Sequence, residues 1–143
     1  MKSAVLFATV FAMIASSAFA EGTSLDHGKG GRIVDFLAIV QQYNANGELF
    51  RIEGVCESAC TMFLGIRNVC IERDATLMFH AGHDIQENVT GPDTRASRAM
   101  LYRYNMALRQ YLLEGHHMDS DDYHTLMGSE LIDRFGYREC PRT

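Results

Sequence analysis

Four cysteines constrain this chain of 143 residues more than any other feature: Cys56, Cys60, Cys70 and Cys140. Their role depends on the compartment in which the protein folds. An oxidising compartment favours disulfides, whereas the cytosol favours free thiols or metal binding. The first task for the sequence is therefore to indicate a compartment.

Residues 1–20 have the three parts of a secretory signal peptide. Lys2 supplies a basic start, residues 4–14 form an apolar run, and Ala18-Phe19-Ala20 is a small-residue cleavage site. The apolar run is shorter than the roughly 20 residues of a membrane-spanning helix. We expect cleavage after Ala20, export to a bacterial periplasm or beyond, and no membrane attachment afterwards.

Export favours two disulfides, and four cysteines allow three pairings between which sequence alone does not choose. We favour Cys56 with Cys60 and Cys70 with Cys140. The mature remainder, 21–143, has the length of a single domain. Removal of Lys2 takes the formal net charge from −5 to −6, which argues against a nucleic-acid partner.

Apolar periodicity and turn residues predict alternating helices and strands. The first half reads, in order, as a helix, a strand, a helix and two short strands: 33–43, 48–55, 58–66, 69–71 and 76–79. The second half reads as a mobile surface loop over 81–93, one long helix over 94–114, and two short helices in 120–135 capped by Ser120 and Ser129. This alternation predicts an α/β fold.

The segment Gly54-Val55-Cys56-Glu57-Ser58-Ala59-Cys60-Thr61 carries a predicted strand into small residues and then a helix. A serine at such a junction has its hydroxyl at a helix N-terminus, where free amides favour developing negative charge. Ser58 is therefore a candidate nucleophile. The alternative is that Ser58 only caps the helix, because serine is a preferred cap residue.

His80 directly follows the predicted strand 76–79. If that strand ran parallel to 48–55, His80 would lie at the same sheet edge as Ser58. A serine and a histidine at matching strand ends are what base-activated nucleophilic catalysis requires. The alternative is a structural or surface histidine.

The glycine loop, Gly28-Lys29-Gly30-Gly31-Arg32, precedes the first helix and lacks the P-loop pattern. It is either a flexible lead-in or a close-approach segment. In the second case, the amides of Gly31 and Ala59 could form an oxyanion hole.

Taken in this order, the motifs resemble the Clp-type serine peptidases and their crotonase-like superfamily. They are more similar still to small exported bacterial relatives with Cys-x-Ser-Ala-Cys-Thr and a later Phe-His. The resemblance covers about 28–136. It implies a trimmed crotonase-like fold over 21–143, with a small, mostly parallel sheet and flanking helices. It also implies Ser58 as nucleophile, His80 as general base, and Gly31 and Ala59 as oxyanion donors.

Two departures from the family pattern bear on activity. The family's third catalytic residue is an aspartate before the closing helices, and of Asp119, Asp121 and Asp122 we choose Asp122. The family also has a strand, a helix and a strand before its Gly-Gly pair, which this chain lacks after residue 20. The exposed edge would be compensated by the disulfides or by assembly of copies into a homo-oligomer.

The sequence therefore predicts an exported serine hydrolase that acts on a peptide or small acyl substrate, without a cofactor. The alternative is a catalytically degenerate, disulfide-stabilised periplasmic binding or interaction domain. A third interpretation uses Cys56 or Cys60 as a thiol nucleophile, or a metal held by histidines: His80, His83, His116, His117 and His124. No His-Glu-x-x-His or Cys-x-x-Cys spacing occurs, so we expect no metal.

The mature protein is expected to begin at Glu21 and to contain no free thiol. Intact mass with and without alkylation measures both properties. Alkylation of all four cysteines in native, unreduced protein would contradict the disulfide prediction.

Overall fold

The structure is a computed structural model that describes residues 21–142. The predicted signal peptide, 1–20, lies outside the described residues. Those residues form a mixed α/β structure with small sheets and several helices, which confirms the α/β class. Across 21–142, no helix is both long and apolar enough to cross a membrane.

Within residues 21–142, the regular structure includes eight short strands and four α-helices. The strands are β1 Gly22–Thr23, β2 Phe50–Ile52, β3 Val55–Glu57, β4 Val69–Ile71, β5 Thr76–Phe79, β6 His83–Asp84, β7 Val89–Thr90 and β8 His124–Met127. The α-helices are α1 Ile33–Asn46, α2 Arg95–Leu101, α3 Met106–Glu114 and α4 Gly128–Phe135. Two 3₁₀ helices complete the set: Leu25–His27 and Ser58–Gly65.

The described strands form three small sheets instead of the single sheet that was predicted. The first sheet has the order β1-β2-β4, with parallel pairs throughout. In the second, β3 pairs with β5 in parallel and β5 pairs with β8 antiparallel. Strands β6 and β7 form a separate hairpin.

The predicted strand 48–55 is wrong in one respect, since it is two strands in different sheets. Gly54 separates β2 from β3 and has a φ of +65°, a left-handed value that glycine adopts without a steric penalty. On either side of this kink the chain bonds to different partners. The Ile52 carbonyl accepts from the amide of Glu72, and the Gly54 carbonyl accepts from the amide of Thr76.

The predicted long helix over 94–114 is also wrong, because the chain leaves the helix between α2 and α3. Asn105 begins α3 as its cap: its side-chain oxygen accepts from the Leu108 amide at 2.9 Å. Just before it, Tyr104 is only 2% exposed. A tyrosine of the predicted helix therefore lies buried in the break between the two helices.

Two further predictions for the second half need correction. Segment 120–135 contains strand β8 and helix α4 instead of two helices; Ser120 bonds to Asp122 and Ser129 lies within α4, so neither caps a helix. The predicted loop 81–93 contains the β6–β7 hairpin. Its base is tied to α2, because Ser97 Oγ accepts from the Gly82 amide at 2.7 Å.

The core lies between α1, the first sheet and the 3₁₀ helix Ser58–Gly65. Three phenylalanines meet there, with ring centroids 5.1 Å apart for Phe36–Phe63 and 4.5 Å for Phe50–Phe63. Six residues of the 3₁₀ helix are buried, from Ala59 to Leu64. This burial fixes the segment that follows Ser58.

The two expected disulfides are present, with the favoured pairing. Cys56 bonds to Cys60 across a sequence separation of 4, and Cys70 bonds to Cys140 across a separation of 70. All four cysteines are buried, and none is more than 5% exposed. The Cys70–Cys140 disulfide links the segment around Cys140 to β4.

The two disulfides should differ in their contribution to stability, because closing a longer loop removes more entropy from the unfolded chain. We expect Cys70→Ala/Cys140→Ala to lower the free energy of unfolding by about 4 kcal/mol, and Cys56→Ala/Cys60→Ala by about 2 kcal/mol. Urea unfolding followed by circular dichroism measures both. An equal or larger loss for the short loop would contradict this expectation.

Candidate functional site

Ser58 occupies a sharp turn between β3 and the 3₁₀ helix, and its backbone is left-handed with a φ of +54°. This conformation is uncommon for a residue other than glycine and costs roughly 1–3 kcal/mol. Such outliers concentrate at functional sites. A strained serine on a strand-to-helix turn is also the geometry of a nucleophile elbow, which projects the hydroxyl outward.

The Cys56–Cys60 disulfide encloses this turn, with Ser58 at its centre. Both cysteines are fully buried, whereas Ser58 is half-buried. The bond closes a short ring around the strained residue and limits how the turn can relax. It also excludes the interpretation of Cys56 or Cys60 as a thiol nucleophile in this state, because neither has a free thiol.

His80 lies at the same sheet edge as Ser58, since β3 and β5 pair in parallel as predicted. Their register aligns Cys56 with Leu77 and Glu57 with Met78. Ser58 comes directly after Glu57 in the first segment. In the second segment Phe79 comes directly after Met78, and His80 follows Phe79. The two candidate catalytic residues therefore leave adjacent, parallel strand ends.

The His80 ring is half-buried against Tyr123, in an edge-to-face contact with centroids 5.0 Å apart. Its Nδ1 atom is buried and has no hydrogen-bond partner among the described residues. Over the same residues, no hydrogen bond joins Ser58 Oγ to His80. Catalytic pairs are often loose without substrate and tighten when it binds.

The aspartates chosen from the sequence lie at the surface and have other partners. Asp122 is exposed and accepts from Ser120 Oγ at 3.2 Å, and no described hydrogen bond joins it to His80. Asp119 pairs with His116 Nδ1 at 2.9 Å, and Asp121 is exposed. The described hydrogen bonds thus bring none of the three to the imidazole.

Tyr123 also contacts the carboxylate of Glu57, which the sequence analysis did not identify. The Tyr123 hydroxyl donates to Glu57 Oε2 at 3.4 Å, and the same ring contacts His80. Burial, together with the Glu57 charge, raises the pKa of Tyr123. Glu57 precedes Ser58 in the motif, but no local pattern indicates that a residue 66 positions away will bind it.

The glycine loop packs directly on the Ser58 turn. The Gly28 carbonyl accepts from the Glu57 amide at 2.7 Å. A Cβ atom placed on Gly30 would lie 2.7 Å from the Glu57 carbonyl oxygen and 3.0 Å from Ser58 Cβ. The loop therefore approaches the Ser58 turn closely, with no room for a side chain at Gly30.

Gly31 and Ala59 flank this contact, one on each of the two packed segments. In the described residues, neither amide donates to a backbone or side-chain acceptor outside its own element. Ala59 is the second residue of the 3₁₀ helix, where amides have no partner within the helix. Ala59 is fully buried, and a Cβ atom on Gly30 would lie 3.2 Å from the Ala59 amide nitrogen. An oxyanion role for the Gly31 and Ala59 amides stays a prediction.

The remaining histidines are dispersed, apart from one stacked pair. The rings of His117 and His124 lie 3.4 Å apart at an interplanar angle of 14°, and Tyr111 Oη is 3.0 Å from His124 Nε2. Burial is the main cause that lowers the pKa of His124, and the charge of the neighbouring His117 lowers it further. Between residues 21 and 142, no group of three or more His, Cys, Asp or Glu side chains could hold a metal ion.

In comparisons with protein-family models and with curated proteins, nothing matches this chain. The resemblance to Clp-type peptidases therefore depends on the motifs themselves.

Gly30 and Gly47 provide a matched pair for testing the contact between the glycine loop and the turn. Their φ values are +70° and +73°, but a Cβ on Gly47 meets no heavy atom of the described residues within 4 Å. Gly47→Ala should cost the left-handed strain alone, about 1–2 kcal/mol. Gly30→Ala should cost at least about 1 kcal/mol more, because backbone atoms would have to move.

Chemical denaturation of the two variants measures this difference. Equal losses of unfolding free energy would show that Gly30 does not pack against the turn.

Proposed function

We propose that the protein is an exported serine hydrolase, similar to the Clp-type and crotonase-like enzymes, that acts on a peptide or small acyl substrate. One observation carries the proposal: Ser58 has a left-handed backbone on a strand-to-helix turn, beside the parallel strand that leads to His80. A helix cap requires no such strain, since cap residues normally have extended backbone. The residue in the cap position is Glu57, whose backbone is extended, so capping does not account for the strain at Ser58.

In the proposed reaction, Ser58 Oγ attacks the carbonyl carbon of the substrate while His80 accepts the hydroxyl proton. The resulting oxyanion takes hydrogen bonds from the Gly31 and Ala59 amides. The carbonyl re-forms, the bond to the leaving group breaks, and His80 returns its proton to that group. Water then attacks the acyl carbon while His80 takes one of its protons. The bond from the acyl carbon to Ser58 Oγ breaks, His80 gives its proton to Oγ, and the acid is released.

We propose this chemistry as a Ser58–His80 dyad. Asp122 remains our sequence-based choice for a third member, although its described side-chain partner is Ser120. On the described contacts, Tyr123 is the group that holds the imidazole in place. Nδ1 of His80 has no hydrogen-bond partner among the described residues.

A second candidate function is a binding or interaction domain without turnover. The observation in its favour is the absence, among the described residues, of a hydrogen bond linking His80 to Ser58 or to an aspartate. For either function we propose a periplasmic or secreted location. Two buried disulfides are compatible with such an oxidising compartment.

A fluorophosphonate probe separates the two functions, because it reacts with activated serine nucleophiles. We expect labelling at Ser58 and none in Ser58→Ala. His80→Ala should slow labelling by roughly 10²–10⁴-fold, the usual contribution of a general base. His83→Ala is the matched control: this exposed histidine bonds to Thr90 at 2.9 Å and should leave the rate unchanged.

Peptide mapping of the labelled protein and a thermal melt of each variant complete the measurement. If the folded wild type resists the probe while Ser58→Ala lowers the melting temperature by several degrees, Ser58 is a structural residue. The binding domain is then the better description.

A further inference from the structure

A buried hydroxyl group that the proposed reaction does not use holds the carbonyl of the strained serine, and a second buried hydroxyl group bonds to the first. Thr61 Oγ1 donates to the Ser58 carbonyl oxygen at 2.6 Å. The same Thr61 oxygen lies 2.6 Å from Tyr104 Oη. Thr61 is fully buried and Tyr104 is 2% exposed, so water does not compete with either bond.

The direction of both bonds follows from the number of protons. A threonine hydroxyl has one proton, and in this structure it is directed at the Ser58 carbonyl. Tyr104 must therefore donate to Thr61. Burial raises the pKa of Tyr104, so the phenol keeps the required proton. The result is a directed chain from Tyr104 through Thr61 to the backbone of Ser58.

Tyr104 also contacts the strand that leads to His80. Its ring meets Phe79 edge-to-face, with centroids 5.4 Å apart. Phe79 is the last residue of β5 and precedes His80. Tyr104 is thus linked to both candidate residues through their neighbours. Its hydroxyl reaches the Ser58 carbonyl through Thr61, and its ring packs on Phe79, the residue before His80.

Tyr104 lies in the break between α2 and α3. The Tyr104 carbonyl is held by Arg109 Nη2 at 3.1 Å, and the following Asn105 amide donates to Tyr137 Oη at 2.9 Å. The junction is therefore fixed from two directions.

We propose that Thr61 and Tyr104 are positioning residues that hold Ser58 in its left-handed conformation, directed toward His80. The inference rests on the proposed hydrolase function for its catalytic consequence. Its structural part, the control of the Ser58 backbone by Tyr104, can be measured without any activity.

Tyr104→Phe tests the proposal, because it removes the donor and keeps the ring against Phe79. Tyr137→Phe is the matched control: it removes a hydrogen-bonded hydroxyl at the same junction that has no described hydrogen bond to the turn. Two quantities are measured in each folded variant. They are the amide hydrogen exchange of residues 57–61 and the rate of fluorophosphonate labelling at Ser58.

We expect Tyr104→Phe to raise exchange in 57–61 by roughly 2- to 10-fold, as for the loss of one hydrogen bond. Labelling should slow by roughly 10- to 100-fold, because small misplacements of a nucleophile are costly. Tyr137→Phe should change neither quantity in this segment. Thr61→Ser, which keeps the hydroxyl, should resemble the wild type, whereas Thr61→Val should resemble Tyr104→Phe.

Unchanged exchange in Tyr104→Phe overturns the proposal, whatever happens to labelling. Equal effects of Tyr104→Phe and Tyr137→Phe also overturn it, since they would show general destabilisation. Raised exchange with an unchanged labelling rate rejects the catalytic consequence. If the wild type itself is not labelled, the hydrolase function fails separately, and the exchange measurement alone decides whether the hydroxyl chain controls the turn.

Discussion

The parallel pairing of β3 with β5 determines where every group of the candidate site lies. The two strands run in one direction, so their carboxyl ends meet at one edge and deliver Ser58 and His80 to the same place. The other parts of the site attach to these two strand ends. The glycine loop bonds to the amide of Glu57, and Tyr104 packs against Phe79. A shift in this register would separate the serine from the histidine and from their supports.

Features encoded by short-range patterns were predictable from the sequence. Helix α1 has apolar residues at helical spacing and ends at Gly47, and β4 and β5 are short apolar runs with the predicted bounds. The placement of Ser58 and His80 at one edge followed from two strand-end motifs and one assumption, that the strands are parallel. The glycine loop packs against the Ser58 turn, and its oxyanion role stays a prediction.

Features decided by contacts distant in sequence were not predictable. The alternation of apolar residues in 48–55 fits one strand as well as two. Only the pairing with different neighbours shows that the chain changes sheets at Gly54. The sequence of β8 alone suggests part of a helix. Its strand conformation depends on pairing with β5, which lies about 50 residues earlier in the chain. The spacing in 94–114 suits a continuous helix, but the buried bond of Tyr104 to Thr61 outweighs that preference. Serine itself gives no signal of a positive φ.

The Cys70–Cys140 disulfide makes most of the second half of the molecule a closed covalent ring. The β6–β7 hairpin is part of that ring, and Ile85 at its tip is 86% exposed, which makes the hairpin the natural place for a protease to cut. A single cut there would open the ring without releasing a fragment. Strand β5 would stay joined through Cys70 and Cys140 to the piece that carries α2, α3 and α4. The clipped protein would separate into two chains only after reduction.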